Sequence, residues 1–286
     1  MSAFAPSSAG RRPGLQPARN FVLLETRALG KTFAIGGREI VALAEVDLAL
    51  ARGSFTVIIG RSGCGKSTLL RVVAGLTEPT SGAIRYAHEK RPTIGSVFQE
   101  PRLMPWLNVE ANIAFGLIGK LPKSEIDDRV TEVLDLVGLK AFRDAQPDQL
   151  SGGMASRVGL ARALAMKPDI LLFDEPFAAL DAFTRRNLQQ ELSAIWRTRQ
   201  PTILFVTHDV EEAVVLGDVI LHMSEGRVVD RIPVPLAHPR EPTDSDVVSI
   251  RSRVLQRLAA PAAFHHGNVV PLQPPLSIAV PKEKIS

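Results

Sequence analysis

Gly60-Arg61-Ser62-Gly63-Cys64-Gly65-Lys66-Ser67-Thr68 gathers glycines, a lysine and two consecutive hydroxyls into one short stretch. The spacing fits G-x-x-x-x-G-K-[ST], a pattern suited to cradling phosphate. Gly60, Gly63 and Gly65 let the backbone turn its N–H groups inward around phosphate oxygens. Lys66 is expected to reach the β- and γ-phosphates as a point charge. Ser67 should ligate Mg²⁺ through its hydroxyl, and Thr68 should hold the α-phosphate region. Ser62 and Cys64 complete the expected loop. Cys64 is the single cysteine of the chain, so no disulfide forms within it. A helix starting at Lys66 could lower the thiol pKa and make Cys64 reactive toward thiol reagents, with bound nucleotide triphosphate protecting it. The alternative is an inert small side chain.

Three strand ends are predicted to deliver this chemistry. Phe55–Ile59 is a short β-rich apolar run directly before the loop, and Leu69, Leu70, Val72, Val73 and Leu76 keep a helical spacing after it. The helix start adds the positive end of its dipole. Asp169–Phe173 reads as a second buried strand ending in Asp174-Glu175, and Thr202–Val206 as a third ending in Thr207-His208-Asp209. In an open parallel sheet, ligands sit beyond the carboxyl ends of strands. Asp174 is therefore placed to hold Mg²⁺, and Glu175 to polarise a water that attacks the γ-phosphate. His208 is placed to hydrogen-bond the γ-phosphate.

A second anion site is predicted at Leu150-Ser151-Gly152-Gly153-Met154. Ser151 reads as the N-cap of a helix carrying Val158, Leu160, Ala161, Leu164 and Ala165 on one face. A Ser-Gly-Gly start leaves the N–H groups uncovered by side chains.

In this order, the motifs resemble the ATP-binding subunits of ABC transporters. The first loop resembles Walker A, Leu150–Met154 the signature, and Ile170–Asp174 Walker B with Glu175 as catalytic glutamate. Phe98-Gln99-Glu100 resembles the Q-loop, Ala179-Leu180-Asp181 the D-loop, and His208 the switch histidine. Phe33 sits where the family stacks an aromatic on adenine, though it could also simply pack in the core. The resemblance spans about residues 23–232. It implies an α/β fold: a P-loop NTPase (RecA-like) core with an antiparallel β subdomain and a helical ABC subdomain. ATP and Mg²⁺ are the implied cofactors. Lys66, Gln99, Glu175 and His208 would serve hydrolysis, and Ser67, Gln99 and Asp174 the metal. The Walker A residues, Phe33, Ser151, Gly152, Gly153 and Asp181 would contact nucleotide. The family works as a head-to-tail homodimer, so Ser151 and Gly153 would act in trans. Two transmembrane permease subunits and a separate substrate-binding protein are the implied partners, at the cytoplasmic face of the inner membrane. Phe98–Leu107, with Val109, Asn112 and Phe115-Gly116, resembles the nitrate/sulfonate/taurine importer branch. Trp106 and Phe115 could also be plain subdomain core. Ala155-Ser156 departs from the polar or basic pair usual after the signature, which puts the helix-capping contacts there in question.

Organisation and composition agree with one such domain. The expected layout is a disordered tail at 1–20, an ATP-binding domain at 21–258 with its helical subdomain at about 99–157, and a Pro-rich disordered tail at 259–286. Val41, Leu43, Val46, Leu48 and Leu50 suggest short half-exposed strands, Val219–Met223 and Glu225–Val229 a hairpin, and Ser249–Leu258 a last helix. The net charge of +4 draws on Arg11, Arg12 and Arg19, which precede the first acid, so it does not point to nucleic acid. The sequence holds no apolar run of about 18 residues, so any membrane attachment would go through another subunit. A soluble ABC ATPase without a transport role, or an importer subunit for another substrate class, stays as the alternative.

Overall fold

The computed structural model describes residues 21–87 and 91–259. The expected tails lie outside them, apart from Ala259, which ends the last helix.

Two sheets organise the chain. β1 (Val22–Ile35), β2 (Arg38–Ala51) and β4 (Ser81–Tyr86) form an antiparallel sheet in the order β2-β1-β4. β3 (Phe55–Ile59), β5 (Ile94–Phe98), β6 (Ile170–Asp174), β7 (Thr202–Thr207), β8 (Val219–Ser224) and β9 (Arg227–Pro233) form the second, ordered β5-β6-β7-β3-β8-β9. Its strands run parallel except β9, which closes an antiparallel hairpin with β8. The helices are α1 (Lys66–Ala74), α2 (Val109–Ala114), α3 (Lys123–Leu136), α4 (Gly152–Ala165), α5 (Ala182–Arg199), α6 (Val210–Leu216) and α7 (Ser245–Ala259).

The apolar strands are continuous because both sheet faces are covered. Successive side chains point to opposite faces. Phe55, Val57, Ile59, Leu171, Phe173, Ile203 and Phe205 join the core that includes side chains of α2 to α7. Ile58, Ile170, Leu172, Leu204 and Val206 join the core made with α1 and the antiparallel sheet. Parallel register then aligns the strand ends: Ile59 pairs with Thr207, Asp174 with Val206, and Phe98 with Asp174.

Three expectations shift. β2 is one long strand rather than short pieces. Register irregularities against β1 break its alternation, leaving Leu43, Val46, Leu48 and Leu50 buried and Val41 exposed. α1 stops before Leu76, because Gly75 adopts a left-handed cap at φ 70°, and Leu76 is exposed. The last helix starts at Ser245, four positions before the expected Ser249.

Candidate functional site

β3 feeds directly into the glycine loop, which is pressed against neighbouring backbone. A Cβ on Gly60 would lie 2.2 Å from the Met223 carbonyl, and one on Gly65 would lie 2.3 Å from the Ala42 carbonyl, with Gly65 at φ 104°. Only glycine fits either place. Gly65 caps α1 without a side-chain bond, and no acidic residue stands in the first turn. The N–H groups and positive dipole end therefore face the loop uncompensated, as an anion site requires.

Lys66 curls back over this loop. Its ammonium donates to the Gly60 carbonyl at 2.8 Å and the Arg61 carbonyl at 3.0 Å. Glu175 Oε1 stands 3.9 Å from it. Ser67 Oγ donates to Asp174 Oδ1 at 2.8 Å, which brings two expected metal ligands together. A hydroxyl and a carboxylate are hard oxygen donors of the kind Mg²⁺ takes alongside phosphate and water. Among the described residues no group of three or more His, Cys, Asp or Glu could hold a metal by itself. This pair therefore fits a cation that arrives with phosphate. Gln99 is exposed and follows Phe98, the register partner of Asp174.

Glu175 leaves β6 in the left-handed region at φ 48°, a conformation that costs a non-glycine residue free energy. Its N–H donates to the Val206 carbonyl at 3.0 Å. Its Oε2 lies 2.9 Å from His208 Nδ1. The Glu175 carboxylate thus stands between the Lys66 ammonium and the His208 imidazole. A carboxylate so held can accept a proton from a water that attacks phosphate on the loop.

At the second candidate anion site the expected helix cap is present. Ser151 Oγ accepts from the Met154 N–H at 3.2 Å and caps α4. The Ala155-Ser156 departure leaves this cap intact, and Ser156 Oγ bonds back to the Gly152 carbonyl at 3.0 Å. Gly153 approaches α5 closely, since a Cβ there would meet Thr184 Cγ2 at 2.6 Å. Asp181 caps α5, accepting from Phe183 N–H at 3.1 Å and Thr184 N–H at 3.0 Å. The Thr184 bonds hold its carboxyl below the usual range.

One side chain behaves differently from the reading of the sequence, and for two others the structure decides between the alternatives left open. Cys64 is buried, and burial pushes its thiol pKa up despite the Lys66 charge and the backbone N–H groups. The helix-terminus argument for a lowered pKa is overturned by desolvation. A Cβ on Gly60 would lie 2.8 Å from Cys64 Sγ, which shows that the sulfur packs beneath the loop. Trp106 and Phe115 are not subdomain core, being 75% and 50% exposed. Phe33 is only partly buried, with Lys31 Nζ 5.0 Å from its ring centroid. It lies on β1 opposite Ile40, on the same ladder as Leu43, whose side chain borders Gly65.

Other side chains shape the site through contacts that the sequence pattern does not show. Arg162 on α4 donates to the Pro101 carbonyl at 2.6 Å and the Arg102 carbonyl at 3.1 Å, gripping the segment after Gln99. Asn112 is fully buried and bonds the Met104 backbone through N–H and carbonyl, fixing the turn that carries Trp106. Arg185 donates to the Phe177 and Leu180 carbonyls, shortly after Glu175, and Glu212 accepts from Thr207 Oγ1, just before His208. Periodicity cannot reveal such contacts, because they depend on loop conformations that only the fold sets.

The sequence profile of the ABC transporter family matches residues 43–178. An aliphatic sulfonates import ATP-binding protein of Bacillus subtilis is 46% identical over 231 residues, covering 79% of this chain and 90% of the relative. A protein of the same description from Burkholderia lata is 44% identical over 270 residues, covering 93% of this chain and 81% of the relative. Among solved structures, a dimeric ATP-binding cassette in a post-hydrolysis state with ADP and Pi superposes with a TM-score of 0.66. It is 33% identical, and the match covers 74% of this chain and 99% of that one.

Proposed function

The chain belongs to the ABC transporter family as an ATP-binding, ATP-hydrolysing subunit, and from that membership we propose that it energises the import of an aliphatic sulfonate. The observation that carries the catalytic part is Glu175, held 2.9 Å from His208 and 3.9 Å from Lys66 at the mouth of the glycine loop. The substrate class rests on the names of relatives that align along most of their length.

In this reading the loop N–H groups and Lys66 hold the β- and γ-phosphates of ATP, and Thr68 holds the α-phosphate region. Gly60, Ser62, Gly63, Cys64 and Gly65 wrap the chain around them. Lys66 exchanges its two carbonyl partners for phosphate oxygens. Phe33 stacks on adenine. Ser67 and Asp174, with Gln99, would hold Mg²⁺, which neutralises phosphate charge when bound. Glu175 takes the proton of the attacking water, and His208 orients Glu175 and contacts the γ-phosphate.

Ser151, Gly152 and Gly153 present a second set of N–H groups for the ATP of a partner copy, with Asp181 at the same interface. A head-to-tail homodimer then buries two nucleotides. Among the described residues no helix is long and apolar enough to cross a membrane. Two permease subunits supply that function in this reading, and the chain attaches peripherally at the cytoplasmic face. The helical segment at 99–157 contacts them, and a separate binding protein delivers the sulfonate.

The test is uptake of a labelled alkanesulfonate by cells whose only copy carries Glu175→Gln. Loss of uptake with normal protein level is expected. Undiminished sulfonate uptake would overturn the import assignment, and loss of nitrate uptake alone would reassign the cargo.

A further inference from the structure

Two loops leave the strand ends next to each other: 175–181 after β6 and 207–209 after β7. A single guanidinium ties them. Arg185, in the first turns of α5, donates through Nε to the Phe177 carbonyl at 3.3 Å and through Nη2 to the Leu180 carbonyl at 2.9 Å. From the same group, Nη1 lies 4.0 Å from Asp209 Oδ2 and Nε lies 3.9 Å from Glu212 Oε1.

Glu212 is the anchor beneath it. Its side chain is 6% exposed, yet it is a carboxylate on a helix, so burial must be compensated by partners. Thr207 Oγ1 donates to Oε2 at 2.6 Å and Gln189 Nε2 to Oε1 at 3.3 Å. Thr207 Oγ1 in turn accepts from the Asp209 N–H at 3.0 Å. Asp209 then caps α6, accepting from the Glu211 N–H at 2.7 Å. Burial raises the Glu212 carboxyl above its usual range, opposed first by the Thr207 bond and then by the charge of Arg185. These contacts run unbroken from Phe177, two positions after Glu175, to Asp209, the residue after His208.

Glu175 is held in a left-handed conformation, so surrounding contacts must over-determine its backbone. The guanidinium fork supplies contacts on the loop that follows it, and Glu212 ties the same fork to the loop carrying His208. A planar fork suits this task because it fixes several acceptors in one geometry, whereas an ammonium would act as a point charge.

We propose that Arg185, braced by Glu212, is a positioning residue for hydrolysis that keeps Glu175 and His208 in register by locking the loops that bear them. The proposal rests on the reading of Glu175 as the proton acceptor. Arg185 touches the 177–180 backbone rather than phosphate, so its loss affects turnover and leaves nucleotide binding in place.

The test uses the full chain with Arg185→Met, which keeps the aliphatic stem, and Glu212→Gln, which keeps the side-chain shape and one of its two acceptor oxygens while removing the charge that faces Arg185. Steady-state ATPase gives kcat and KM, and equilibrium binding of trinitrophenyl-ATP gives affinity. Thermal unfolding identifies the folded variants. The expected result for Arg185→Met is a fall in kcat of about tenfold or more with affinity within about twofold of the parent. Glu212→Gln should lower kcat in the same direction by a smaller factor. If folded variants of both keep parental kcat, or lose affinity while kcat holds, the proposal is overturned. If Arg185→Met does not fold, Glu212→Gln decides by the same criteria. Glu175→Gln is run beside them. Normal turnover there would remove the reading of Glu175 itself, while a dead Glu175→Gln with a fully active Arg185→Met removes only the positioning role.

Discussion

Ser67 Oγ donates a hydrogen bond to Asp174 Oδ1 across 2.8 Å, joining the first turn of α1 to the last residue of β6. The two residues are 107 positions apart in the chain. Their contact follows from the parallel register that ends β3 and β6 on one edge with β7 between them.

This pair predicts a metal requirement with a defined source. Asp174→Asn removes the charge that the cation needs and keeps the shape. Hydrolysis should fall by about a hundredfold or more, while nucleotide still binds through Lys66 and the loop N–H groups. Chelation of Mg²⁺ should stop the parent enzyme and change the variant little. The check is ATPase rate against added Mg²⁺; an unchanged Mg²⁺ response in Asp174→Asn would count against this assignment.

Cys64 gives a prediction opposite to that of an activated thiol. The sulfur is buried and its pKa is raised, chiefly by desolvation. Alkylation by iodoacetamide at neutral pH should be slower in the native chain than in urea by about two orders of magnitude, and ATP should slow it further. Equal rates in the two states would show that the sulfur is not packed under the loop.

His238 sets a pH dependence of stability away from the nucleotide. Burial holds its imidazole below the ordinary value of 6.5, against the opposing pull of Asp218. Nε2 lies 3.4 Å from Asp218 Oδ1, its ring packs against Trp196, and Arg240 and Arg197 add positive charge nearby. A histidine with a lowered folded pKa binds fewer protons folded than unfolded. Stability is therefore complete above about pH 6.5 and declines as pH falls toward the folded pKa, at up to about 1.4 kcal/mol per pH unit. His238→Gln should flatten the fall of Tm below pH 6.5. His222, also lowered by burial, remains in both proteins and leaves a residual slope. An identical Tm profile in the variant would contradict the assignment.

Much of this site is legible in the sequence because its chemistry is contiguous. The glycine loop, Asp174-Glu175 and His208 each follow an apolar run, and strand polarity alone sends them to one edge. The limits are physical. The spacing of Leu69, Leu70, Val72 and Val73 continues to Leu76, but Gly75 ends the helix by a backbone conformation that periodicity does not encode. Cys64 beside a helix start suggested activation, yet the fold turns its sulfur inward, toward Gly60. Arg162 and Arg185 are invisible to pattern reading, since their acceptors are main-chain carbonyls fixed only after folding. Asn112 belongs to a motif in the sequence, but its clamping of the Met104 backbone arises only in the folded turn.

The central claim is that Glu175 drives hydrolysis of an ATP shared between two copies. The most direct measurement is the solution mass of Glu175→Gln by sedimentation with and without Mg-ATP, alongside its turnover. The account predicts a variant that binds ATP, hydrolyses almost none and stays dimeric in its presence, reverting to monomer when nucleotide is removed. A variant that stays monomeric with ATP bound, or that turns over normally, would contradict it.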